Sequence, residues 1–588
     1  YIMKEDNQME VLTIKEIADA VEGTILIGDE NMQITNVSTN SKKLEAGSLF
    51  VPIIGEKVDA HDFIPDAFDN GARACFTSRH TEVTKDMNQS MVYIYVKDTL
   101  EALQALGTYY RSKFKIPVIG ITGSVGKTTT KEMVAAVLET RYKVLKTEGN
   151  MNSQVGLPLM MLRLDSSYDI AVIEMGMSEF GEMAKLSKIA RSEAAVVTNI
   201  GVSHIGQLKT RENIRKEKLN IINAFHQDSV LFVNGNDDLL SEVYAASKAL
   251  KNWESIIGNK IENEAENVVK NEAENATENV VKNEVENEIK NAAENDVENE
   301  TENTAENEPE NTAENKDKEY SQNSARIDLN PETLEKFYQS KVIGFGTEDT
   351  CDYWAENIRT SEGKTYFTLR KTKKEKRTNT IDNEPKAIIS KDNTSAGQNN
   401  LDGDGEEIVL QVLGIHNVYN ALAAIAVGEH YHIPVSLAKE GLYNYHPIAM
   451  RGQIKEVNQI HIIDDSYNAS PDSMKSGIQV LSELEGISRR IAVLADMFEL
   501  GDLSYQSHYD VGTFIAEQKV DEVVTIGKEA VYIAKGIQYK NKNIITHSFS
   551  TNQEAIRYLK GQLKAGDGVL VKGSRSMKTD EIVKAFIE

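Results

Sequence analysis

Cysteine is nearly absent from this sequence. The 588-residue chain has two, Cys75 and Cys351, far apart and outside any CxxC pattern. That excludes a disulfide framework and a cysteine zinc site, and it fits a reducing compartment. No apolar run approaches the ~18 residues that a membrane-crossing helix needs. Tyr1 to Glu10 are mostly polar and charged, so no signal peptide is expected. Together these absences point to the cytoplasm, with no stable membrane insertion. The first residue is Tyr rather than Met, and the true start is expected upstream. Basic residues are in deficit: 65 Lys and Arg face 91 Asp and Glu, for a formal charge of −26. A nucleic-acid partner needs a basic footprint, so none is expected.

Hydrophobic residues make up 40% of the chain, slightly low for a globular protein. One tract explains much of the deficit. From Asn259 to Asn315 every fourth residue is Asn, and the tract holds 18 acidic and 4 basic residues, so −14 of the −26 sits there. A four-residue repeat drifts around a helix that turns 100° per residue, so no fixed apolar face forms. Disorder or a solvated helix is expected. A calcium-binding array is disfavoured, because the loop glycine and oxygen-ligand spacing are missing. A second polar tract, Lys371 to Glu406, lies between two strand-like segments, KTYFTLR and EIVLQVLG, and reads as an enlarged hairpin loop.

The length suggests three or four folded units. The first stretch, to about Phe114, mixes short strands (GSLFVPII, VYIYV) with short helical patterns. The second opens with PVIGITGSVGKTTTKEMVAAVLETRY, a buried strand, a Gly-rich turn and an amphipathic helix. Further buried strands follow: IAVIEMG, AAVVTNIG and SVLFVNG. From about Pro447 a third stretch repeats the alternation with IHIIDDS, RRIAVLADM, EVVTIG and GVLVKGS. Strands alternating with helices predict an α/β fold of parallel sheets with helices on both faces.

The strongest local signal is Gly123-Ser124-Val125-Gly126-Lys127-Thr128-Thr129, in the strand–turn–helix context that a P-loop requires. Glycines let backbone N–H groups face phosphates, and the following helix adds its positive end. Lys127 would reach the outer phosphates of ATP and Thr128 would place a hydroxyl on Mg²⁺. The strict pattern wants Gly where Ile121 stands, and the glycine is Gly120, so the loop is a shorter variant. The plain alternative is an ordinary strand–helix turn. Glu174 ends a buried strand, a position suited to a metal-binding carboxylate and equally to a solvated one. His204 also follows a buried strand, where histidines are more often structural. Lys218, in the polar run RENIRKEKLN, reads as a surface lysine.

With these residues in view, the chain resembles the Mur ligase family, and within it the branch that adds a dipeptide. The resemblance rests on nine segments in order: SKKLEAGSLFVPIIGEKVDAHDFI, GITGSVGKTTTKEM, GNMNSQVGLPL, VIEMGM, TNIGVSHIGQL, GIHNVYNALAAIAVG, IDDSYNASPDSM, AVLADMFELGDLSYQSHYDVG and VLVKGSRSMKTDEIV. It covers nearly all of the chain except the two polar tracts. It implies three domains. Residues 1–114 would hold a UDP-muramoyl peptide. Residues 115–446 would form a P-loop ATPase domain, with the disordered acidic insertion at about 254–330 and the polar loop at about 371–406. Residues 447–588 would form a smaller Rossmann-like domain that closes over both.

The implied reaction is an ATP-dependent amide ligation through an acyl phosphate, adding D-alanyl-D-alanine to UDP-N-acetylmuramoyl-tripeptide in peptidoglycan precursor synthesis. The expected cofactors are ATP and Mg²⁺, and the expected state is a monomer. The resemblance makes Glu174, with Thr128, a Mg²⁺ ligand, and His204 the holder of a second Mg²⁺. It makes Lys218 a candidate carbamylated lysine and Asn417 an adenine contact. Arg451 and Asp465 become third-domain residues that reach the nucleotide. Asn152, Lys572, Ser574 and Arg575 are candidate substrate contacts, although an exposed basic loop would also explain the last three. His508, at a helix start, is ambiguous. In the first domain, Asn40-Ser41-Lys42 stands where the family carries Asp-Ser-Arg, and Lys42 cannot make the two-pronged contact of an arginine. Asp59-Ala60-His61 replaces Asp-Gly-His, and Ser153 replaces a second Asn. Two other readings stay open: a related ligase with another amine acceptor, and an ATP-binding scaffold without turnover.

Overall fold

The structure, a computed structural model, describes residues 9–85, 87–249, 328–372 and 405–587. The Asn-rich repeat and most of the second polar tract lie outside these residues. Contacts divide the chain into one unit of Tyr1–Ser241 with Leu329–Glu588 and a second of Glu242–Asp328. The second is described only over the helical residues 242–249 and at Asp328. The first carries three main sheets, and the mixed α/β class is as expected.

The first sheet has five strands, in the order Thr24–Ile27, Val92–Tyr95, Ala72–Thr77, Ser48–Phe50 and Val37–Ser38. All neighbours are parallel except the first pair. Helix Thr99–Ser112 leads out of it, started by Asp98, whose side chain accepts from the Leu100 and Glu101 amides. It runs close against helix Gly156–Met161. A Cβ on Gly107 would stand 2.7 Å from Pro158, so only glycine permits that approach.

The central sheet has nine strands. Val118–Thr122 lies deep within it, between Ile170–Glu174 and Ala194–Val197. Val144–Lys146 forms one edge. On the other side Val230–Asn234, Lys341–Gly346 and Tyr353–Ser361 continue in parallel. Lys364–Lys371 and Glu406–Leu410 then close the sheet in antiparallel pairing, as the two strand-like segments around the second polar tract predict. The sheet is therefore parallel at its heart and antiparallel at one edge. Its inner strands read as unbroken apolar runs because both faces are covered. Helix Lys127–Leu138 and the Ala-rich helix Ile415–His430 pack on one face, with Ile119, Val134, Val196, Phe232, Leu422 and Ile425 in a common core.

The third sheet has six strands in the order Gln453–Val457, Ile460–Asp464, Asp567–Lys572, Arg489–Ala495, Glu522–Ile526 and Ile545–Phe549. After the opening antiparallel pair all neighbours are parallel. Functional residues in such sheets collect beyond the carboxyl ends of the strands. Here Asp465 follows one strand end and Lys572 is another.

Candidate active site

The turn after Val118–Thr122 carries the predicted phosphate loop. Gly123 has φ +148° and Gly126 has φ +86°. A Cβ on Gly123 would meet the Thr198 hydroxyl at 1.9 Å, so neither the conformation nor the space admits a side chain. Helix Lys127–Leu138 starts directly after Gly126. The loop is braced from the next strand. Asn199 Oδ1 accepts from the Ser124 amide (3.1 Å) and the Val125 amide (2.9 Å), and the Thr198 hydroxyl donates to the Val125 carbonyl at 2.6 Å. Lys127 Nζ folds back to donate to the Gly123 carbonyl at 2.8 Å. Burial in the cleft pushes its ammonium pKa down, against the opposing charge of Glu174.

A cleft of ≈ 750 Å³ opens between this loop and the third sheet. Ser124, Val125, Gly126, Lys127, Thr128 and Thr129 form its floor. Asn152, Glu174 and His204 line it from the side of the central sheet, and Asn417 from the start of helix Ile415–His430. Arg451, Asp465 and Lys572 line it from the far side. Thus most of the predicted residues, scattered over more than 400 positions of sequence, converge on one space.

Glu174 is 3% exposed. Its Oε1 accepts from Asn152 Nδ2 at 2.7 Å, while Oε2 is buried without a hydrogen-bond partner. The Thr122 hydroxyl, one strand over, is likewise buried and unpartnered. A buried carboxylate oxygen left bare is costly unless a cation completes it. Thr128, also buried, adds a hydroxyl. Among the described residues no group of three or more His, Cys, Asp or Glu forms a ready-made metal cage. One carboxylate and one hydroxyl nonetheless suit Mg²⁺, which keeps waters and takes phosphate oxygens as further ligands. The donor set therefore fits that ion.

His204 has φ +64°, and its Nδ1 lies 2.6 Å from Glu499 Oε2. The contact is short but off-line, since Nδ1 makes no aligned hydrogen bond. It holds the Glu499 carboxyl below the usual range. The surface reading of Lys218 is overturned: the side chain is 1% exposed. Helix Arg211–Leu219 turns that face inward, against helix Glu182–Ala190 and the turn at Asn220–Ala224. Burial, with Lys127 nearby, pushes the Lys218 ammonium well below its ordinary pKa.

The exposed-basic-loop reading fails for two of its three residues. Lys572 ends a buried strand and donates to Asp465 Oδ2 at 2.6 Å and to the Asn468 carbonyl. Ser574 is buried and accepts from the Phe498 amide. Arg575 alone is exposed, with a 3.3 Å contact to Asp580. Arg451 lies 3.8 Å over the Tyr467 ring, and its Nε is buried with no hydrogen-bond partner. Asn417 donates to the Leu413 carbonyl. Ser41 and Lys42 stand in the first sheet's loops, outside this cleft. Ser41 is buried with its carbonyl bonded by Asn70, and Lys42 is exposed. His508 is buried between the Met497 amide and the Ser504 carbonyl, a structural position.

Sequence reasoning passed over three residues of this site. Asn199 braces the phosphate loop from about 75 positions away. Glu499 reaches His204 from the third sheet. His416 borders the cleft with an unpartnered Nδ1, and burial lowers its pKa to about 4. All three lie inside segments that carry the family resemblance, which is the signal that could have found them.

Three family models match the chain: Mur ligase family, catalytic domain (33–111), Mur ligase middle domain (121–307) and Mur ligase, glutamate ligase domain (450–575). UDP-N-acetylmuramoyl-tripeptide–D-alanyl-D-alanine ligase of Bacillus subtilis is 33% identical over 579 residues, 98% of each chain. The enzyme of that name from Escherichia coli is 28% identical, again over 98% of each. Among solved structures, MurF from Acinetobacter baumannii superposes with a TM-score of 0.71 at 24% identity, covering 98% of this chain and 99% of that one. MurF ligase from Thermotoga maritima in complex with ADP gives 0.64 at 23% identity, covering 94% and 96%. With its phosphate loop, bare buried carboxylate and opposing third sheet in one cleft, and with relatives matched end to end, this chain belongs to the Mur ligase family.

Proposed function

We propose that this chain is an ATP-dependent ligase that joins D-alanyl-D-alanine to the peptide carboxylate of UDP-N-acetylmuramoyl-tripeptide. The observation that carries this is the convergence of Lys127, Glu174 and Arg451 on one cleft, in a chain matched over its whole length by relatives of that name. A carboxylate is a poor electrophile, so it is first activated. Its oxygen attacks the γ-phosphorus of ATP, the bond to the bridging oxygen breaks and ADP leaves. The dipeptide nitrogen then attacks the acyl carbon, phosphate leaves, and the nitrogen's proton passes to solvent. The protein's part is positioning and charge neutralisation.

Lys127 unfolds from the Gly123 carbonyl to meet the outer phosphates. Gly126 and the positive end of helix Lys127–Leu138 cradle them, in a turn that Asn199 fixes through the Ser124 and Val125 amides. Thr128 and Glu174 would hold Mg²⁺, and His204 a second ion, and such ions would offset the charge of the phosphates and the carboxylate. Lys218, whose ammonium form burial disfavours, suits a carbamate, which would turn it into an anion near Lys127. Asn417 takes the base, and Arg451 turns its free Nε toward nucleotide oxygens. Asp465 and Lys572 hold the far wall, where the incoming dipeptide is bound with Ser574 and Arg575. Ser41 and Lys42 bind the UDP end. This reading assigns 1–114, 115–446 and 447–588 as domains, and a monomer working in the cytoplasm.

The test is phosphate release with ATP, Mg²⁺ and UDP-muramoyl-tripeptide, with and without D-alanyl-D-alanine. Release that depends on the dipeptide, with a product mass to match, is expected. Release with a different amine instead would move the acceptor within the family.

A further inference from the structure

Three observations meet at the segment 199–208. The carboxylate of Glu499, carried on the loop after strand Arg489–Ala495, lies 2.6 Å from His204 Nδ1. The Gly206 amide donates to the Glu499 carbonyl at 3.1 Å, and a Cβ on Gly501 would stand 3.0 Å from the Gly206 Cα. The two loops therefore touch backbone to backbone at two glycines, more tightly than side chains usually permit. Both His204 (φ +64°) and Glu499 (φ +66°) hold left-handed backbone, uncommon for residues with side chains. Such outliers persist where surrounding contacts over-determine them, and they cluster at switch and ligand sites.

Glu499 is not needed for the stability of its own domain. Its side chain is 51% exposed, and an ion pair in that setting contributes little. What it touches is the cleft-lining histidine of another domain. A carboxylate on one ring nitrogen of a histidine fixes the ring and directs the other nitrogen outward. With Nδ1 facing Glu499 at 2.6 Å, the nitrogen left for a cation is Nε2.

From this geometry we infer that Glu499 is a positioning residue supplied by the third domain, which orients His204 only when that domain is seated on the segment 199–208. Assembly of the His204 cation site is thereby coupled to domain closure. The inference rests on the proposed role of His204. It makes the third domain a contributor to the cation site and not only a cover for the nucleotide.

The test uses the full chain with Glu499→Gln, His204→Ala and the double variant. Two readouts are needed. The first is steady-state kinetics. Glu499→Gln should lower kcat by about 10- to 100-fold, the usual loss for an outer partner of a ligating histidine, with the KM for ATP little changed. The double variant should lose no more than His204→Ala alone. The second needs no turnover: spin labels at exposed Lys188→Cys and Tyr539→Cys, with the native Cys75 and Cys351 buried. Mg²⁺ with β,γ-methylene-ATP should narrow the label separation in the parent protein and leave it broad with Glu499→Gln. Losses that multiply in the double variant, or a separation that narrows as in the parent, would overturn the inference. If the parent makes no dipeptide product yet its labels respond as described, the function assignment fails and the coupling stands.

Discussion

Across the cleft, polar groups are treated in opposite ways. On the central wall, Glu174 keeps a buried oxygen bare, and Lys127 sits on a carbonyl that it must leave to work. On the third-sheet wall, Asp465 and Lys572 neutralise one another at 2.6 Å, and Ser574 is bonded by the Phe498 amide. A bare buried group is a cost that a packed core does not keep without use, whereas a satisfied pair holds a shape. The central wall is poised for an incoming ligand, and the far wall, apart from Arg451 with its bare Nε, mainly holds its own geometry.

The hardest break of this contrast is Lys127→Ala. Its Nζ bonds only to carbonyls of its own loop, so the fold does not depend on it. Phosphate release should fall by at least about 10²- to 10³-fold, the size seen when one preorganised charge-stabilising donor is removed. The urea unfolding midpoint should stay where it is. Retained turnover would remove the phosphate-loop assignment.

A crossed pair of variants tests the contrast itself. Glu174→Gln should lower turnover by about 10²-fold while stability holds or rises, because the buried oxygen that lacks a hydrogen-bond partner no longer belongs to a carboxylate. Asp465→Asn should do the reverse in stability. It leaves Lys572, 2% exposed, without its counter-charge, and should cost about 1–3 kcal/mol, read from urea denaturation. If both variants lost stability equally, the two walls would not differ in kind.

How much of this could be read from sequence follows from where each signal resides. The phosphate loop was legible because its chemistry lies in local backbone: two glycines at positive φ between a buried strand and a helix. The parallel heart of the central sheet was legible in runs such as IAVIEMG, apolar throughout because both faces are covered. Lys218 was not, since a run as charged as RENIRKEKLN has no pattern that says which lysine faces inward. That is decided by Glu182–Ala190 and Asn220–Ala224 packing over it. Asn199 acts on amides some 75 positions earlier, and Glu499 on a histidine nearly 300 positions earlier, separations that no periodicity records. Lys572 looked like loop because SRSMK follows it, yet it is the last residue of a buried strand.

Lys218 offers the finest test, because it shares the central wall's unbalanced character without lining the cleft. Burial depresses its folded-state pKa below the ~10.4 of a free lysine. Between those two values the unfolded chain holds a proton that the folded chain does not, so stability rises with pH across that window. Below the folded-state pKa the full cost of burying the ammonium applies, and above about pH 10.4 none does. Lys218→Met removes the titration, so the variant should be more stable than the parent at neutral pH. That advantage should shrink as pH climbs toward 10, measured as urea midpoints at several pH values. A carbamate would also abolish the ammonium, so bicarbonate should raise the parent's midpoint and leave the Met variant unmoved. An advantage independent of pH would mean that Met simply packs better, and that the buried lysine carries no unbalanced charge.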